Sequence, residues 1–388
     1  MRNSTIWKIV AVLFVIAVVL GVFVWKPWNR GPQTGSSSMQ IWNDLAGDGA
    51  DTGNAQTDVQ GTQAVQDTQG EQETQDALRD VTLAFAGDVL FDYGFPERYD
   101  TGGIDAVISP ELRAKLTDAD ITMVNHEFCF STRGQKQDKQ YTFRVDPKYV
   151  GAFHELGVDV VTLANNHALD YGREALSDTF ATLDEAGIMY AGAGETKERA
   201  REVQTIEAGG RTFGFLAASR VIPEGSWNVD NAQPGMFCTY DDSALCSAIT
   251  QAKQTCDYVT VYVHWGIERD SMPQDYQISM AKHYIDAGAD LVIGSHTHCL
   301  QGIEFYNGKP ILYGMGNFIF NTTINSTMAV HVTVDEENNS AVQVFPAYAS
   351  NGCTQLMSEG EAEKLYRYLE SISFGVQIDD QGFVTPAQ

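Results

Sequence analysis

Five candidate strands from Val81 onward are apolar along their length and then end in a polar cluster. VTLAFAG (81–87) stops at Gly87-Asp88, and Ile121–Val124 runs into Asn125-His126-Glu127. VDVVTLAN (158–165) leads into Asn165-Asn166-His167. YVTVYVHWG (258–266) carries His264 and is followed by Glu268, and ADLVIGSHTH (289–298) closes on His296-Thr297-His298. Strands that are apolar on both faces belong in sheets covered on both sides, and their alternation with helical patterns indicates βαβ units. Helical spacing is expected over about 104–118, 147–156, 170–187, 241–255, 274–287 and 359–372. Hairpins are expected at Gly209-Gly210, at Asn307-Gly308 and at Glu337-Asn338-Asn339. The expected fold class is α/β: one large domain over 81–350, with a C-terminal helical element, 351–388, packed on it.

In open α/β sheets, ligands bind beyond the carboxyl ends of the strands. Asp, Glu, Asn and His at five strand tips invite unsatisfied polar groups, so stability alone does not explain them. Two carboxylates, an amide and several imidazoles suit one or two divalent ions of the manganese, zinc or iron kind. His296 and His298, two apart at a strand exit, are expected on one face. Asp88 or Glu127 would bridge two ions ~3.5–4 Å apart, which would activate a water. His167 is the candidate proton donor to the leaving group. Each residue also has a plainer reading: Asp88 as a turn residue, Asn165 and Asn166 as helix N-caps, His264 as a core histidine. His154, His283 and His331 lack such neighbours and are expected to be structural or surface residues.

The amino-terminal part has a different character. Ile9–Trp25 is an uncharged apolar run. With Ile6–Lys8 it makes a helix of about 30 Å at ~1.5 Å per residue, matched to a bilayer core. The alternative is a cleaved signal peptide, but the run exceeds the usual ~7–15 residues and no small-x-small site follows it. Residues 1–30 therefore read as a single-pass anchor in the cell membrane. The flanking basic residues are nearly balanced, and the short N-terminal tail favours the bulk of the chain being extracytoplasmic. Residues 31–80 hold nine acidic residues and one basic one among Gly, Ser, Gln and Thr, and are expected to be a disordered, acidic linker.

The ordered set GDVLFD (87–92), VNHE (124–127), LANNHALDYG (163–172), VHWGIE (263–268), GADLVIGSHTHCLQGIE (288–304) and GKPILYGMGNFIF (308–320) resembles the bacterial capsule-synthesis family of CapA type. That family is named for poly-γ-glutamate capsule biosynthesis and is similar to calcineurin-like metallophosphoesterases. The resemblance covers about 81–345 and implies a four-layer α/β/β/α sandwich. It implies Asp88, Glu127, Asn166, His264, His296 and His298 as metal ligands and His167 as general acid. Asn165, Asp170, Glu268 and Asn317, within the same motifs, are assigned to substrate binding. Leu90 stands where the metallophosphoesterases carry a histidine in Asp-x-His, so one expected ligand is absent. Thr297 replaces a frequent Pro, and His126 a frequent Leu.

The net charge is −26, of which −22 falls on residues 81–388, so no excess of Lys or Arg is available for a general nucleic-acid binder. An anionic polymer would be repelled unless metal ions or a local patch such as Arg133, Lys136, Lys139 and Arg144 intervened; the alternative for that patch is a solvated loop. Six cysteines without a Cys-x-x-Cys leave a bridge, free thiols or buried small residues open. The first functional expectation is a metal-dependent hydrolase acting on a cell-surface polymer or phosphoester. The alternative is a non-enzymatic accessory subunit of a capsule synthesis and export complex, partnered with its membrane subunits. An intracellular nucleotide phosphatase would need the opposite topology.

Overall fold

The structure is a computed structural model that describes residues 77–387 apart from residue 321. The expected anchor, and the expected linker up to residue 76, lie outside the described residues. Among the described residues no helix is long and apolar enough to cross a membrane.

In chain order the strands of the two large sheets are β1 (Val81–Val89), β2 (Ile121–His126), β3 (Val160–Thr162), β4 (Met189–Ala191), β5 (Gln204–Ala208), β6 (Arg211–Ser219), β7 (Tyr258–His264), β8 (Leu291–Ser295), β9 (Ile303–Tyr306), β10 (Lys309–Leu312), β11 (Asn317–Ile319), β12 (Ile324–Val334), β13 (Ser340–Ser350), β14 (Cys353–Leu356), β15 (Val376–Ile378) and β16 (Phe383–Pro386). Helices α1 (Pro110–Thr117), α2 (Gly172–Ala186), α3 (Ser243–Ala252), α4 (Asp275–Asp286) and α5 (Glu359–Ile372) pack on them. The ten-stranded sheet runs β15-β16-β13-β12-β1-β2-β3-β4, with β11 beside the end of β1 and β14 beside β13. The six-stranded sheet runs β9-β10-β8-β7-β6-β5. β1 to β4 pair in parallel, as do β6, β7, β8 and β10.

Side-chain alternation sorts these strands into layers. Leu83 and Phe85 of β1 join Phe213, Phe215, Tyr258, Tyr262, Leu291 and Ile293 in a core between the sheets. Ala84 and Ala86 face the other way, into a core shared with Leu112 and Leu116 of α1 and Leu176, Phe180 and Leu183 of α2. Beyond the second sheet, Val259, Val261 and Val263 pack with Leu245 and Ile249 of α3 and Met280 and Tyr284 of α4. The order is helices, sheet, sheet, helices, a mixed α/β architecture as expected.

The C-terminal segment differs from the helical element expected. The boundary at 350 falls in the hairpin that joins β13 to β14, and β15 and β16 extend the ten-stranded sheet. These strands are short and carry the weak pattern of edge strands, which periodicity does not resolve. α5 itself matches its expected span. A Ser358–Glu361 capping box starts it, and Leu365, Leu369 and Ile372 point at helical spacing into the core between the sheets. All six cysteines are free thiols, and Cys129 is buried.

Gly87 shows how tightly the chain is drawn together next to Asp88. A Cβ at this position would lie 1.8 Å from the carbonyl oxygen of Gly316, which also accepts from Asp88 N at 2.9 Å. Gly87→Ala is therefore expected to destabilise the fold by about 1–3 kcal/mol or more, since backbone, not a flexible side chain, must move. Urea unfolding would show this as a lower midpoint.

Candidate functional site

Strand register brings the polar tips together. Asp88 pairs with Asn125 of β2 on one side and Asn317 of β11 on the other. Asn125 pairs in turn with Thr162 of β3, placing residues 165–167 just beyond. In the second sheet His264 is in register with Ser295, after which the chain turns through His296 and His298. The two edges meet: His264 Nε2 lies 2.7 Å from Asn166 Oδ1, and Tyr262 donates its hydroxyl to Ala86 O at 3.0 Å.

Two groups of ligand-type atoms result, each with its atoms within 4.8 Å of one another: Glu127 with His264 and His296, and Asp88 with Glu127 and His298. Glu127 belongs to both. The convergence of His296 and His298 has a different cause from the strand alternation expected. They lie past the end of β8 with left-handed backbones, φ 93° and 55°, conformations that non-glycine residues adopt at a cost and that cluster at functional sites. Leu90, where the resemblance lacks a histidine, is fully buried in the outer core and offers no ligand. His126, beside Glu127, points away into Phe128, Phe130 and Phe153, and burial lowers its pKa to about 3.

The electrostatics of this cluster are unbalanced. Asp88 Oδ2, Glu127 Oε1 and His296 Nδ1 are buried without a well-formed hydrogen bond, although His298 Nδ1 stands 3.3 Å from Asp88 Oδ2 and His264 Nε2 3.7 Å from Glu127 Oε1; this is a costly state for a carboxylate. Burial, and then the nearby Asp88, push Glu127 well above the usual carboxylate range. Burial works to lower His298, but its bond to Asp88, the charge of Glu127 and a 2.7 Å bond to Asn317 Oδ1 outweigh it and raise it to about 10. Burial, then the neighbouring histidines, hold His264 well below its ordinary value, and His296 falls to about 3 for the same reasons. Two crowded carboxylates beside the neutral imidazoles of His264 and His296, with a proton held on His298, are a donor set that fits a cation once that proton leaves.

Asn125 is the hub that the sequence reading did not single out. Its Nδ2 lies 2.8 Å from Asp88 Oδ1, 3.3 Å from Glu127 Oε2 and 3.4 Å from His264 Nδ1. The signal was available, since Asn125 stands two residues before Glu127 on the same strand tip. Asn165 holds this hub, donating to Asn125 Oδ1 at 3.1 Å and to His126 O at 2.8 Å. Asn165 is fully buried and braces the site from behind. Asp170 is likewise built into the interior. It is fully buried, accepts from Phe143 N at 2.8 Å, lies 2.6 Å from His167 Nδ1 and pairs with Lys139.

His167 thus has Nδ1 tied to Asp170 and Nε2 left for the cleft. Burial lowers its pKa, only partly opposed by the Asp170 bond. Lys139 also donates to Asn166 O and stands over the Trp227 ring at 5.1 Å. It is a partly buried brace that no local pattern announces, because it reaches His167 from a loop 28 residues away.

A cleft of about 310 Å³ opens beside these groups, lined by His167, His298 and Asn317 together with Glu268, Arg269 and aromatic walls that include Tyr93 and Tyr141. Glu268 and Asn317 both line this cleft. Three of the four residues of the expected basic patch have partners within the fold. Arg133 is paired with Asp178 and Glu174, Arg144 stacks on Tyr171 at 4.2 Å, and Lys139 is committed to Asp170.

A layered α/β protein with one polar centre, built where the carboxyl ends of two sheets meet, is the class this fold and site define. The chain belongs to the family described as bacterial capsule synthesis protein PGA_cap, whose model matches residues 82–322, more than half of its length. It is 29% identical over 302 residues to the capsule biosynthesis protein CapA of Bacillus anthracis, covering 74% of this chain and 72% of that one. It is 30% identical over 246 residues to the PGA biosynthesis protein CapA of Bacillus subtilis, covering 62% and 63%. A probable polyglutamine synthesis accessory protein of Mycobacterium tuberculosis is 30% identical over 286 residues, covering 68% and 75%. Among solved structures, a hypothetical protein from Thermus thermophilus aligns with a TM-score of 0.45 at 18% identity, over 69% of this chain and 99% of that one.

Proposed function

We propose that this capsule-family protein is a metal-dependent hydrolase of metallophosphoesterase type, acting outside the cell membrane on an anionic capsule polymer or on a phosphoester linked to its synthesis. The observation that carries the reading is Glu127 shared between two ligand groups, with buried atoms of Asp88, Glu127 and His296 around it that make no well-formed hydrogen bond. Asp88, Glu127 and His298 would hold one divalent ion; Glu127, His264 and His296, with Asn166 beside them, would hold a second. Manganese, zinc or iron suits such mixed nitrogen and oxygen donors. When bound, the ions supply Lewis acidity and lower the pKa of a water. His167, oriented by Asp170, moves a proton at Nε2. The uncharged Ile9–Trp25 run supports an anchor that keeps residues 81–388 at the membrane, within reach of membrane subunits and a surface polymer.

A second reading, an accessory subunit without turnover, is favoured by the name of the Mycobacterium tuberculosis relative. One experiment separates the two. The full chain, loaded with Mn²⁺, is assayed on poly-γ-glutamate and on phosphomonoester and phosphodiester substrates. Turnover that EDTA abolishes supports the hydrolase; bound metal without turnover on any of them supports the accessory role.

The reading also predicts a pH dependence of metal uptake. His298, raised to about 10 without a cation, must shed a proton to act as a ligand. Affinity is expected to climb as pH rises toward that value, with proton release on binding, in calorimetry run in buffers of different ionisation enthalpy. His298→Ala should flatten the slope.

A further inference from the structure

Arg269 lines the same cleft as His167 and His298, yet its guanidinium has no hydrogen-bond or ion-pair partner among the described residues. Its neighbours on the sequence are fastened down. Arg269 N donates to Thr297 O at 2.7 Å, tying this loop to the turn between the two histidines. Asp270 O accepts from Gln301 Nε2 at 2.9 Å, and Asp270 Oδ2 accepts from Gln274 Nε2 at 2.7 Å. Arg269 itself is held at φ 64°, a left-handed conformation that a long side chain adopts only when its surroundings impose it. A cation on a braced backbone is thus kept free at the mouth of the site, in a chain of net charge −26 whose Arg133, Lys139 and Arg144 are engaged elsewhere in the fold. The guanidinium fork matches an oxyanion in two parallel hydrogen bonds, which an ammonium does not. Exposed Tyr93 and Tyr141, on the walls of the cleft, offer flat surfaces to the chain between charged groups.

We propose that Arg269 is the anchor for an oxyanion of the substrate, a carboxylate borne on a flexible chain, and that it sets which anionic group lies beside His167 and His298. This rests on the hydrolase reading for its substrate but not for its test. The full chain is titrated by calorimetry at low salt with a short γ-linked glutamate oligomer, with the same oligomer carrying neutral amides, and with inorganic phosphate. Arg269→Asn, which tolerates the left-handed backbone, is expected to weaken the acidic oligomer by at least about tenfold. Arg269→Lys should recover only part, and Arg113→Ala, on α1, should change nothing. The neutral oligomer should bind the unsubstituted chain no better than it binds Arg269→Asn. If phosphate alone binds, with the same dependence on Arg269, the anchor stands with phosphate as its oxyanion. If Arg269→Asn binds as the unsubstituted chain does, or if neither anion binds, the proposal is overturned. Elemental analysis of the same samples keeps the two readings apart: Arg269-dependent binding by metal-free protein sinks the hydrolase alone, and metal-loaded protein without it sinks the anchor alone.

Discussion

Replacing Glu127 with Gln is expected to abolish divalent-metal retention at both positions, whereas His296→Ala removes one ion and leaves the other. The asymmetry follows from geometry, because Glu127 is common to both ligand groups and His296 belongs to one. Changes just outside a metal's ligand set already cost about 10–100-fold in affinity, and losing a shared carboxylate costs more. Elemental analysis after dialysis, paired with Mn²⁺ titration, measures this. The same substitution should act in the opposite direction on the metal-free fold. Burial and Asp88 raise the Glu127 pKa, so its ionisation costs stability increasingly as pH rises above the unfolded carboxylate range. In EDTA at mildly alkaline pH, Glu127→Gln is expected to unfold at higher urea than the unsubstituted chain.

Removing the imidazole of His167 is the other large effect. His167→Ala is expected to lower turnover about 10²–10⁴-fold, the usual contribution of a positioned proton-transfer group, while metal content stays unchanged. Asp170→Asn tests the support. It keeps the shape but loses the charge that lies 2.6 Å from Nδ1 and pairs with Lys139. Turnover should fall, and the pH–rate profile should shift to lower pH, since the Asp170 contact is what opposes the lowering of the His167 pKa by burial. A fall in rate with no shift of the profile would assign Asp170 to folding alone.

How much of this was legible before the structure depended on the reach of each signal. α5 was legible from end to end, because a capping box and apolar positions at 365, 369 and 372 lie within one local window. The βαβ core and all three hairpins were legible for the same reason. β4, β11, β14, β15 and β16, of three or four residues each, were not, since so few positions carry no period. The strand tips drew attention to Asp88, Glu127, Asn166, His264, His296 and His298 because each follows an apolar run; register sets Asp88 and His264 at the sheet edges, and the left-handed turns after β8 bring in His296 and His298. Roles within the site were harder. Asn165 and Asp170 share a motif with His167, but burial turns them into braces, and burial is a property of the packed layers. Lys139 read as surface charge because its partner Asp170 is 31 residues on. Arg269 sits beside a residue that was singled out, yet only the closed cleft shows that its charge is unclaimed.

The central claim is that residues from both sheets converge to hold cations around one shared carboxylate. Anomalous diffraction from crystals of the protein equilibrated with Mn²⁺ tests it most directly. The expected map has a peak bounded by Glu127, His264 and His296, and a second bounded by Asp88, Glu127 and His298. A map with no anomalous density at Glu127, from crystals that bind Mn²⁺ elsewhere or not at all, would contradict it.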